Sequence, residues 1–172
     1  MSKEAKYEAI VIGTSAGGLA ALASVLADLP QHFSIPIILV QHRGKDSPDL
    51  FEEVLQRRCK IKIKQADEKE PIMSGVVYVA PPDYHLLVEV DKTLSLSSES
   101  PVEFSRPSID VLFESAAFAF GEKLIGIILS GSNNDGASGI TTISRLGGLT
   151  IAQDPEEAEY DLMPNAAIEA SG

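Results

Sequence analysis

Ser15, His42 and Asp135 are the side chains of this 172-residue sequence whose types and settings could together perform hydrolysis. Ser15 ends the run Ile10-Val11-Ile12-Gly13-Thr14-Ser15, where an apolar β-branched stretch breaks into Ala16-Gly17-Gly18 ahead of an alanine- and leucine-rich segment. His42 closes Ile37-Ile38-Leu39-Val40-Gln41-His42, and Asp135 stands shortly after Ile127-Ile128-Leu129-Ser130-Gly131. A serine hydroxyl is a poor nucleophile until a neighbour removes its proton, and a neutral histidine does this near physiological pH. A carboxylate behind the histidine fixes its tautomer and stabilises the imidazolium. A serine at a helix N-terminus also lies beside free backbone N–H groups that can stabilise a developing anion.

The elements that must position these groups follow from periodicity. Strands are expected over 7–12, 35–40, 60–64, 124–129 and 149–152, and helices over 17–28, 47–58, 108–120, 136–146 and 164–170. Alternation of this kind predicts an α/β fold, a three-layer α/β/α arrangement around a mostly parallel doubly wound sheet. The short patterns at 76–79, 85–90 and 93–96, separated by Pro81-Pro82-Asp83 and Asp91-Lys92, predict an antiparallel β excursion. Ser15, His42 and Asp135 each fall past the carboxyl end of an apolar strand, the edge at which open parallel sheets bind ligands. Residues far apart in sequence can therefore meet in one crevice.

Blander explanations exist for each member alone. A serine in a glycine turn serves as an ordinary cap, a histidine at a strand end as a satisfied polar residue, and Asn133-Asn134-Asp135-Gly136 as a turn and helix cap. A phosphate loop is the competing functional reading of the glycine turn. A Walker loop requires Gly-Lys-Ser/Thr, whereas Leu19 and Ala20 follow Gly18, and Ser15 stands where the dinucleotide fingerprint needs its second glycine. A relaxed nucleotide-binding α/β module is the alternative that survives. The order Ser, His, Asp differs from that of the α/β-hydrolases, but a triad is defined by geometry.

Composition narrows the partners. With 25 acidic and 14 basic side chains the formal charge is -11, which disfavours a nucleic-acid backbone as partner. No stretch approaches the roughly 20 apolar residues of a membrane span, and the start Met1-Ser2-Lys3-Glu4-Ala5-Lys6 lacks a signal-peptide core, so a cytoplasmic location without membrane insertion is expected. The single cysteine, Cys59, allows no internal disulfide and reads as structural. His32, His42 and His85 have no close Cys/His pairing, so neither a metal site nor a cofactor is expected. Arg106 and Asp110 bracket a helix start, where capping and dipole complementarity explain them first. His85 reads as a surface strand residue.

The sequence resembles the bacterial chemotaxis protein-glutamate methylesterases, the CheB type, from about residue 7 to residue 172. The resemblance rests on Gly13-Thr14-Ser15-Ala16-Gly17-Gly18, Gln41-His42, the segment 75–81, Arg106-Pro107-Ser108-Ile109-Asp110, Leu129-Ser130-Gly131 leading to Asn134-Asp135-Gly136-Ala137, and Gln153-Asp154 with Met163-Pro164. It implies a single catalytic domain over residues 1–172, with Ser15 matching the nucleophile, His42 the base and Asp135 the orienting carboxylate. The implied reaction is hydrolysis of glutamate γ-methyl esters on methylated cytoplasmic helices of chemotaxis receptors, with methanol released, and deamidation of particular glutamines. Backbone N–H groups of Ala16 and Ser132 are the expected oxyanion donors. Arg43, Asn133 and Arg106 are weaker candidates for substrate contact.

Departures from the family pattern are local. Ala16 replaces a frequent threonine, and Gly131-Ser132-Asn133 replaces a common Gly-Met-Gly, so a side chain at Asn133 stands where glycine is usual and can narrow the pocket. Arg43-Gly44-Lys45 brings positive charge where Met-Pro is usual. The phosphorylatable receiver domain of typical members has no counterpart here, which implies a stand-alone member, a receiver acting in trans, or a fragment that is also short at its C-terminus. A catalytically silent receptor-docking domain is the third reading, and Ser132 and Asn133 are its support.

Overall fold

The computed structural model describes residues 6–47 and 50–172. Part of the helix expected over 47–58 lies outside the described residues. Strands β1 (Ala9–Thr14), β2 (Ile37–Gln41), β3 (Lys62–Gln65), β4 (Val76–Val79), β7 (Leu124–Ile128) and β8 (Leu149–Ala152) form one parallel sheet in the order β3-β4-β2-β1-β7-β8. Strands β5 (His85–Val88) and β6 (Leu94–Ser97) form a separate antiparallel pair. Helices α1 (Gly18–Leu26) and α2 (Phe51–Gln56) pack on one face of the sheet, and α3 (Ile109–Phe120), α4 (Ala137–Arg145) and α5 (Leu162–Ser171) on the other.

The two-residue period of the strands builds both cores. In β1, Ile10 and Ile12 join Leu22, Leu26 and Leu55 on the α1–α2 face, whereas Ala9 and Val11 join Ile109, Phe113 and Ile143 on the other. Ile37 and Leu39 of β2 divide from Ile38 and Val40 in the same way. Burial on both sides explains why these strands are continuous apolar runs and not alternating ones.

The α/β/α layering is as expected, with one correction. The 76–79 segment does not belong to the antiparallel excursion: Ile37 and Ile38 of β2 lie beside Val77 and Tyr78, so β4 is an interior strand of the parallel sheet. Short segments such as this carry no length or periodicity signal that separates parallel from antiparallel pairing. The excursion is reduced to β5 and β6, which bury Leu86, Val88 and Leu94 against the α3 side.

Topology fixes the position of the crevice. The chain winds from β1 outward through β2, then returns to place β7 on the opposite side of β1. Strands β2, β1 and β7 are therefore neighbours at the point where the winding reverses, and a crevice opens beyond their carboxyl ends.

Candidate active site

Ser15, His42 and the 129–135 loop leave the carboxyl ends of β1, β2 and β7, three adjacent strands. The Ser15 turn is pinned from both neighbours. Ser15 N–H donates to Ser130 O at 2.9 Å and the Thr14 hydroxyl to the same carbonyl at 2.7 Å, while the Gln41 carboxamide donates to Ser15 O at 2.9 Å and to His42 O at 2.9 Å. Ser130 Oγ donates to Ala16 O at 2.7 Å and accepts from Tyr160 N–H at 3.0 Å. Two glycines are forced at the turn: Gly17 has φ 75°, and a Cβ on Gly18 would stand 2.1 Å from Gln41 Oε1. The Ser15 side chain itself has no hydrogen-bond partner among the described residues.

His42 Nε2 donates to Asp135 Oδ2 at 2.7 Å, and the Asp135 side chain is 1% exposed. Asp135 accepts three further bonds: from Ile109 N–H at 2.6 Å, Asp110 N–H at 2.9 Å and the Ser108 hydroxyl at 3.0 Å. Burial alone would raise its pKa, but His42 and the backbone donors of Asp110 and Ile109 outweigh it and hold the carboxyl below its ordinary range. Asp135 is thus an anion seated on the N-terminus of α3 and bonded to the ring of His42. With Nε2 carrying the proton, His42 Nδ1 holds a lone pair, and it accepts from Asn133 Nδ2 at 3.1 Å.

Ser15 and His42 together line two adjoining clefts of about 470 and 620 Å3. One is bordered by Asp83, Phe104, Arg106 and Asn133, the other by Leu19, Leu50, Phe51 and Val54. Neither the Ala16 nor the Ser132 N–H has an acceptor among the described residues.

Known proteins resemble this chain over nearly its whole length. The family model described as CheB methylesterase matches residues 10–172. A Leptospira interrogans protein, provisionally named protein-glutamate methylesterase/protein-glutamine glutaminase, is 57% identical over 165 residues, covering 96% of this chain and 86% of that protein. This chain belongs to the CheB methylesterase family. A Carboxydothermus hydrogenoformans protein named protein-glutamate methylesterase/protein-glutamine glutaminase 1 is 40% identical over 172 residues, but the match spans 49% of its length. The crystal structure of the Thermotoga maritima CheB methylesterase catalytic domain superposes with a TM-score of 0.88 at 31% identity, covering 96% of this chain and 89% of that one.

Several residues take places that differ from the sequence expectation. Arg43 does not present free charge: its guanidinium pairs with Glu52 at 2.6 Å, donates to Ala80 O at 3.2 Å and packs over Phe51. Arg106 is likewise spent on structure, bridging Asp83 at 2.6 Å and the carbonyls of Ser98 and Glu99. Asp110 does not serve its own helix; it accepts from Gly136 and Gly139 N–H and so caps α4. His85 is buried, accepting from Ser108 N–H at 3.2 Å and bonding Ser100 O at 3.0 Å. It holds the segment that delivers Ser108 to Asp135.

Two other chemistries fit poorly. The carboxylates of Glu103, Asp110 and Asp135 converge within 4.8 Å, but the last two already accept backbone N–H groups at short range. Hydrogen bonding thus accounts for them without a cation. A phosphate at the glycine turn would meet the Glu159 carboxylate beside Gly17, and Gly18 N–H is already donated to Ser15 O at 2.9 Å. Repulsion and an occupied donor both oppose the nucleotide reading.

Ser108, Ser130 and the Gln41 side chain stand in sequence motifs, but their bonds to Asp135, Ala16 and Ser15 are visible only in the fold. Ser130 carried a usable signal, a polar residue directly after an apolar strand at the same sheet edge as Ser15 and His42. Ser108 precedes the Ile109 helix start as an N-cap, and its bond to Asp135 depends on a contact 27 positions away.

Proposed function

We propose that this chain is a serine esterase that hydrolyses glutamate γ-methyl esters on chemotaxis receptors, releasing methanol, and that also deamidates glutamine. The observation that carries the reading is the 2.7 Å bond between His42 Nε2 and the anionic Asp135, which leaves Nδ1 as the basic nitrogen in a cleft shared with Ser15. Family membership and the names of the relatives agree with the substrate class.

Ser15 Oγ attacks the ester carbonyl as His42 Nδ1 takes its proton, and Asp135 stabilises the imidazolium. Ala16 and Ser132 N–H groups receive the oxyanion, each worth about 3 kcal/mol by comparison with other oxyanion holes. The imidazolium returns the proton to the methoxy oxygen, methanol leaves, and a glutamyl ester of Ser15 remains. Water, deprotonated by the same nitrogen, then releases glutamate. With a glutamine substrate the same sequence expels ammonia. None of these steps calls for a metal or cofactor. The apolar lining of Leu19, Leu50, Phe51 and Val54 beside Ser15 suits the flank of a receptor helix.

Residues 1–172 are read as one catalytic domain acting in the cytoplasm; among the described residues no helix is long and apolar enough to cross a membrane. Regulation by a receiver domain in trans belongs to the same proposal. The test is methanol release from methyl-labelled receptor membranes by the wild-type chain and by Ser15→Ala. Release from the wild type alone is expected; equal release from both would overturn the assignment of Ser15.

A further inference from the structure

The side chain of Asn133 stands on the one nitrogen of His42 that the esterase reading needs free. Its amide orientation is fixed by its other contact. Asn133 Oδ1 accepts from Asp135 N–H at 3.0 Å, and a backbone N–H can only donate, so the NH2 group is the part that faces His42 Nδ1 at 3.1 Å. His42 is committed in the same way, because Nε2 gives its proton to Asp135 and Nδ1 is left as an acceptor. The resting network is satisfied at every member. It is also incompatible with catalysis.

An imidazole nitrogen has a single in-plane lone pair, so Nδ1 cannot accept from the Asn133 amide and from the Ser15 hydroxyl together. Once Nδ1 takes the serine proton, its new N–H and the amide N–H become two donors facing each other. The amide must therefore leave before the proton moves. We propose that Asn133 is a brake on the base: it holds Nδ1 until an oxygen of the bound substrate accepts the amide and draws it away. Asn133, Ser15 and His42 line the same cleft, so a substrate oxygen entering there lies within reach of the amide. Asn133 is then a positioning and specificity-determining residue, favouring substrates that offer an acceptor oxygen beside the scissile group. This rests on the esterase reading above.

The test separates the two roles of the side chain. Asn133→Ser keeps a short acceptor for Asp135 N–H, as serine turns do, but cannot reach Nδ1; Asn133→Ala removes both contacts. Each is reacted with a small fluorophosphonate, beside wild type and Ser15→Ala. In that reaction an Oγ–P bond forms, the P–F bond breaks, and the hydroxyl proton passes to Nδ1 as fluoride leaves. Loss of one competing hydrogen bond predicts about fivefold faster labelling of Asn133→Ser, with Tm lower by about 2–4 °C, and a shift of the His42 Nδ1 resonance in 15N spectra of the free protein. Labelling at the wild-type rate, or slower, with an unmoved Nδ1 resonance would overturn the brake while leaving the esterase intact. No labelling of any variant or of wild type would overturn the esterase reading instead, and the 15N spectra would still report whether the amide occupies Nδ1.

Discussion

Asp135→Asn is the sharpest probe of the site, because the surroundings of this carboxylate leave an amide no good orientation. Oδ2 accepts from His42 Nε2 and Ile109 N–H, and Oδ1 from Asp110 N–H and the Ser108 hydroxyl. Ser108 can rotate its hydroxyl to accept, and His42 can change tautomer. Ile109 and Asp110 N–H can do neither. Whichever way the new amide turns, its NH2 group opposes a buried backbone donor. One unsatisfied buried N–H costs about 1–3 kcal/mol, and exchanging the anion's charge-assisted bonds for neutral ones adds about 1 kcal/mol. We expect a stability loss of about 2–4 kcal/mol, a large fraction of the total for a domain of this size. Turnover should fall by about 10^4-fold, since the imidazolium loses its counter-ion and one orientation also selects the wrong tautomer. Urea unfolding and methanol release, measured on the same preparation, check both figures. A variant with wild-type stability and turnover within tenfold of wild type would refute the reasoning.

Other perturbations separate structure from chemistry. Ser15→Ala should leave Tm unchanged, because the hydroxyl has no partner among the described residues, while abolishing methanol release; a large Tm loss would mean that the hydroxyl is structural. Ser130→Ala removes the bonds to Ala16 O and from Tyr160 N–H and should cost about 1–3 kcal/mol in urea unfolding, with a fall in kcat from the loosened Ser15 turn. Burial, with the nearby Asp135, Glu103 and Glu114 charges, pushes Asp110 up to about 7 against the lowering effect of its bond from Gly139 N–H. An unfolded aspartate titrates near about 4. Between these values the folded chain holds a proton that the unfolded chain has lost, so this group makes stability fall as pH rises from about 4 to about 7 and level off above. Asp110→Asn keeps the oxygen that caps α4 and should remove that slope in a series of unfolding curves against pH; an unchanged slope would place the titration elsewhere.

The sequence by itself determined the layers and the edge at which Ser15, His42 and Asp135 collect. Continuous apolar runs at 10–12 and 37–40 demand burial on both faces, and in a parallel sheet only helical layers can supply it; polar residues that follow such runs must then collect at the carboxyl edge. The meeting of Ser15, His42 and Asp135 at one edge was legible for that reason. Local pattern does not contain long-range pairing, so 76–79 read as part of an excursion until its neighbour was known to be β2. Charge presented the same difficulty. Arg43 and Arg106 read as cations near a site, and only their tertiary partners Glu52 and Asp83 show that each is already neutralised. Tertiary structure also decided which nitrogen of His42 meets Asp135 and what meets the other. Those contacts join residues more than 90 positions apart, through hydrogen bonds whose direction depends on donors and acceptors that no periodicity encodes.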